Sequence, residues 1–112
     1  MALVYHVTPW STWTKKIKKE GLLPRSVERG MYADSNIDRV YFFVDRDTVD
    51  DAMDNWLVDK FPTIRWFAVL EVEVPDQLLK DDPEIAGSMY VDEPIPAKAV
   101  RRVEKVDAGE PE

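Results

Sequence analysis

Along the chain, hydrophobic and polar positions follow two rhythms, a period of two and a period near 3.6, and the switches between them mark out the elements. Residues 3–7 alternate. They set Leu3, Tyr5 and Val7 on one face and Val4, His6 and Thr8 on the other, which predicts a first strand. Trp10, Trp13 and Ile17 then recur at helical spacing, with Thr8 or Ser11 as N-cap and Gly21 as a left-handed stop. Lys15, Lys16, Lys18 and Lys19 lie late on the outer face of this helix, where positive charge suits the macrodipole. A solvated face explains them most simply; contact with an anion or a partner is the other reading. Residues 26–38 are polar, contain Gly30 and keep no period, so they read as a long loop. Arg29 and Tyr32 within it, and Arg25 just before it, are binding candidates by location.

Residues 39–44 form the most hydrophobic strand pattern, with Tyr41 and Phe43 on one face and Val40, Phe42 and Val44 on the other, and should lie inside the sheet. Asp45 or Asp47 can cap a second helix whose apolar stripe is Val49, Ala52, Met53 and Trp56, with Asp50, Asp51 and Asp54 turned away. Residues 66–74 make a long strand with Ala68, Leu70, Val72 and Val74 facing the core and Phe67, Val69, Glu71 and Glu73 on a mixed face. Pro75 ends it. A helical turn over 76–80, a polar connection over 81–87, a strand over 88–91, a one-turn helix started by Pro96 and a closing strand over 101–106 complete the chain. This gives one domain over 1–106 and an acidic tail over 107–112. Helices concentrate in the first half and strands in the second, an α+β arrangement.

Charge and composition narrow the function. Fifteen Lys and Arg against 22 Asp and Glu leave a net charge of -7, which disfavours non-specific attraction to a nucleic-acid backbone or an anionic membrane while leaving room for a local basic patch. The absence of cysteine excludes disulfides, thiol nucleophiles and thiolate metal sites. No basic, apolar leader and no run of membrane-spanning length is present, so a soluble, cytoplasmic protein without a membrane partner is the expectation. With a single histidine, a metal site would rest on carboxylates. Asp45-x-Asp47 lacks the glycine and closing glutamate of a calcium loop, so no metal is expected. None of the serines sits in a recognisable nucleophile elbow.

Several short stretches together resemble a known family: Tyr5-His6-Val7-Thr8, a helix closing in Glu20-Gly21-Leu22-Leu23-Pro24, the strands Val40-Tyr41-Phe42-Phe43 and Ala68-Val69-Leu70-Glu71-Val72, and Tyr90-Val91-x-x-Pro94-Ile95-Pro96. The outline resembles the small ADP-ribosyltransferase-like proteins and, more distantly, the RNA 2′-phosphotransferases that share their fold. The resemblance implies a split antiparallel sheet with two main helices in the first half and NAD bound as substrate in a cleft. It assigns His6 to a ribose hydroxyl, Thr8 to the accompanying hydroxyl and Tyr41 to stacking on nicotinamide; Arg25 joins the cofactor-binding set by its location beside the loop. A glutamate serves the third catalytic role in the family, near where Ser88 and Met89 stand here. Glu93 is the carboxylate assigned to it, with Asp92, Glu71 and Glu73 nearby. A ring and a carboxylate aimed at a cation-like ribose would stabilise developing charge. The phosphotransferase branch uses paired histidines and arginines, and Tyr41 occupies the place of its second histidine.

Two functions follow from the resemblance. One is NAD-dependent mono-ADP-ribosyl transfer to a protein or nucleic-acid target, with His6, Tyr41 and Glu93 as the catalytic set. The other, suggested by the unmatched glutamate position, is a catalytically inactive member of the fold that binds and inhibits or regulates a protein partner. Read from the residues alone, His6 is equally a hydrogen-bonded, semi-buried strand residue and Tyr41 a core aromatic.

Overall fold

The computed structural model describes residues 1–22, 40–55, 63–81 and 87–108. Arg25, Arg29 and Tyr32, the loop expected over 26–38, Trp56 and the last four residues lie outside these.

Alternation in the sequence becomes one open six-stranded sheet in which every pairing is antiparallel, in the order β4-β5-β2-β1-β3-β6. The strands are β1 (Ala2–Pro9), β2 (Val40–Phe43), β3 (Trp66–Val74), β4 (Lys80–Asp81), β5 (Ser88–Val91) and β6 (Val100–Asp107). Helix α1 runs in three contiguous segments, Trp10–Thr12, a π-type stretch Trp13–Ile17, and Lys18–Glu20; α2 is Arg46–Asn55. Single 3-10 turns stand at Asp76–Leu78 and Ala97–Ala99. Helices in the first half and a strand-rich second half make this a small α+β domain. Among the described residues, no helix is long and apolar enough to cross a membrane.

Both faces of the sheet are covered. On one, Val4, Phe42 and Leu70 pack beneath Ile17 of α1 and beneath Leu22 and Ile95. On the other, Val7, Tyr41, Phe43, Phe67 and Val69 pack beneath Val49 and Ala52 of α2. The mixed face expected for β3 is therefore core at Phe67 and Val69. A helix of ten residues spans about 15 Å, so α2 covers only the upper rows of that face and leaves Glu71 and Glu73 at its margin.

Several local expectations change. β1 extends through Thr8 and Pro9, which pair with Ala68 and Phe67. Proline donates no backbone hydrogen bond, and it stands where pairing with β2 has already stopped. Neither Thr8 nor Ser11 caps α1: its N-cap is Pro9, with no side-chain bond. Gly21 does have positive φ, but at φ 80 and ψ -169 it is outside the left-handed helical well. Its requirement is close approach, because a Cβ there would lie 2.4 Å from the Ile95 carbonyl oxygen. That approach lets Leu22 and Ile95 exchange backbone hydrogen bonds of 2.8 and 2.9 Å. Of the two candidate caps for α2, Asp45 acts, accepting from the Thr48 backbone N–H at 2.8 Å and the Thr48 hydroxyl at 2.7 Å. Asp107, expected to open the tail, ends β6 opposite Trp66 and takes a two-pronged bond from Arg65, both contacts at 2.9 Å.

Candidate functional site

The ladders of the sheet are unequal. β1 and β3 share eight register positions, from Ala2 opposite Val74 to Pro9 opposite Phe67, and β2 and β5 share four. β1 and β2, the two central strands, share one, Tyr5 opposite Phe43. Beyond it the strands part, and His6 stands at the opening.

His6 is 6% exposed and donates from Nδ1 to the Tyr41 carbonyl oxygen at 2.7 Å. Because a carbonyl only accepts, this contact places a proton on Nδ1. The imidazole thus bonds a β2 carbonyl on the side facing β1, where the ladder does not continue, and buried strand carbonyls are almost always hydrogen-bonded. Its ring also meets Phe42 edge-on, with centroids 5.8 Å apart. His6 thus belongs to the face covered by α1.

Tyr41 belongs to the other face. Its side chain, 8% exposed, packs in the core under α2, and its ring lies 6.2 Å from that of Tyr90. The structure brings the His6 imidazole to the Tyr41 backbone, and it sends the two rings to opposite sides of the sheet. Thr8 does share His6's face, opposite Ala68, and is buried. Glu93 is exposed in the bend after β5. Ser88 pairs with Phe43, so it points to the α2 face, where its buried hydroxyl has no hydrogen-bond partner among the described residues. Met89, opposite Phe42, and Val91, opposite Val40, are the β5 residues on His6's side. The assigned residues therefore converge as His6 with Thr8, while Tyr41 and Glu93 lie elsewhere. Arg25 is outside the described residues.

Charge is sorted across the sheet. Exposed Lys15, Lys16, Lys18 and Lys19 lie on α1; Asp47, Asp50, Asp51 and Asp54 lie on α2. At the start of α2, Arg46 bridges to Asp50 at 3.0 Å and across to Glu104 of β6 at 2.5 Å. Burial pulls the Arg46 pKa down, and the bonds to Asp50 and Glu104 outweigh it, so the guanidinium is held above its ordinary value. The Thr48 hydroxyl and backbone N–H hold the Asp45 carboxyl below its ordinary value.

Two regions escaped the sequence reading. Lys105 Nζ sits 5.0 Å from the Trp10 ring centroid and 4.9 Å from that of Trp66, a cation held between two indoles. A pocket of about 460 Å³ opens between the two 3-10 turns, walled by Pro75, Leu78, Pro94, Ile95, Pro96 and Ala99. The spacing of Pro75, Pro94 and Pro96 was the only hint of the second in the sequence. Among the described residues no group of three His, Cys, Asp or Glu side chains is placed to hold a metal ion. Neither a protein-family model nor a curated protein matches the chain in sequence.

Proposed function

We propose that the chain is a non-catalytic, protein-binding domain on an ADP-ribosyltransferase-like scaffold, which inhibits or redirects a protein partner. The observation that carries this reading is the hydrogen bond from His6 to the Tyr41 carbonyl. It gives the single histidine a structural task, on the face opposite the Tyr41 ring with which it would have to hold NAD. The polarised surface supports the same reading, since a lysine-bearing helix and an aspartate-bearing helix on opposite faces favour partner choice by charge. The tagged chain should retain one stoichiometric partner from host extract, and His6→Asn, which keeps a donor near the Nδ1 position, should retain it equally.

NAD-dependent mono-ADP-ribosyl transfer is the competing reading, favoured by His6 and Thr8 sharing one buried face of β1. Incubation with labelled NAD and host extract separates the two. Label transfer or nicotinamide release that disappears in a folded His6→Asn variant would replace the binding reading with the enzymatic one.

A further inference from the structure

The pocket between the 3-10 turns has no task in the reading above, and its walls are unusually fixed. Pro75 and Pro96 hold φ at -56 and -66 where they lead into the two turns. Ile95, 2% exposed, is tied to Leu22 by paired backbone bonds, and Gly21 lies against the same segment too closely to admit a Cβ. A preformed apolar cavity of about 460 Å³ lies within the range of small-molecule sites, about 300–1,000 Å³.

Charge at the rim selects the ligand. Arg101 is matched to Glu73 at 2.6 Å, and the Met1 amino group lies 3.7 Å from Asp76. Lys98, which also lines the pocket, makes no ion pair among the described residues. An apolar cavity edged by one unmatched cation complements an apolar body ending in one negative charge.

We propose that this pocket binds a small aliphatic carboxylate, its hydrocarbon against Ile95, Leu78 and the prolines and its carboxylate against Lys98. The test titrates the full isotope-labelled chain with octanoate and, separately, with octyltrimethylammonium, which has the same chain and the opposite head-group charge. Octanoate should produce saturable resonance shifts over residues 94–99, with the cation binding about threefold to fivefold more weakly, the equivalent of one contact with an exposed charge. Lys98→Glu, an exposed change, should reverse that order. Ala99→Trp, which fills the cavity, should abolish both responses with an unchanged circular dichroism spectrum. The proposal is overturned if octanoate gives no saturable shift at 94–99, if wild-type protein binds both head groups equally, if Lys98→Glu leaves the order as it was, or if folded Ala99→Trp binds octanoate like wild type.

Discussion

His6 Nδ1 lies 2.7 Å from the carbonyl oxygen of Tyr41, a residue 35 positions away on a strand that meets its own at one register position. The single histidine therefore closes a gap in the backbone hydrogen bonding of the sheet. Replacing it by alanine removes a buried side-chain to backbone hydrogen bond and should destabilise the domain by about 1–3 kcal/mol. His6→Asn, whose amide can donate from nearly the same place, should recover a large share of that loss. Urea unfolding midpoints at constant slope measure both. Equal losses for alanine and asparagine would remove the carbonyl bond as the cause.

Acid should act on the start of α2. The folded pKa of Asp45 is lowered from 3.8 by the Thr48 hydroxyl and N–H, so over this range the unfolded chain binds more protons. The stabilisation from the cap is thus complete above the ordinary carboxylate value and disappears as pH falls through the folded pKa. Asp45→Asn keeps an acceptor but removes the titration. Its thermal midpoint should fall less between pH 5 and pH 2 than that of the wild type. Parallel curves for the two proteins would mean that other carboxylates govern acid unfolding.

The two positive-φ glycines differ in what surrounds them. At Gly21, with φ at +80, an added Cβ meets backbone, 2.4 Å from the Ile95 oxygen and 2.9 Å from the Ala97 nitrogen. At Gly87, also at +80, it meets the Thr48 methyl at 2.9 Å, the end of a side chain. Both alanine variants incur a positive-φ penalty of about 1–3 kcal/mol. Gly21→Ala should lose clearly more, because only the Thr48 side chain can move aside. Denaturant titration of the two variants ranks them, and a smaller loss at Gly21 would contradict the close packing of α1's end on Ile95.

Lys105 between Trp10 and Trp66 should be detectable through its charge. Lys105→Met keeps most of the aliphatic stem and should cost about 0.5–1 kcal/mol while altering the indole emission. No change in either would reduce the arrangement to a packing of stems against rings.

How far the sequence carried the fold follows from the range of each interaction. The strand at 66–74 has the bounds read from alternation, as does the one at 88–91, because facing is a local property of the pleat. The second core at Phe67 and Val69 was not legible, since it depends on where α2 comes to rest. The caps show the same division. Asp45 was one of two candidates named for α2, three residues before the group it binds, whereas both candidates for α1 were wrong because Thr8 continues the strand. For the site, alternation put His6 and Thr8 on one face. That Tyr41 would turn its ring away from them depends on the register of β1 against β2, and one pair, Tyr5 with Phe43, sets it. The pocket lining runs from Met1 to Arg101, 100 positions apart, with most of it from the segments before β4 and β6, which no local pattern brings together.

The lone register position between β1 and β2 also bears on how the molecule opens. It divides the sheet into two leaves, β1 with β3 and β6, and β2 with β5 and β4, each held by its own longer ladders. Amide hydrogen exchange should then follow two cooperative units, with Val4, Leu70 and Val72 exchanging only on global unfolding and Val40 to Phe43 through a smaller separation of the leaves. His6 adds a buried hydrogen bond across that separation to the two apolar cores that also span the leaves, so removing its imidazole should lower the free energy of the separation and speed exchange in the smaller leaf.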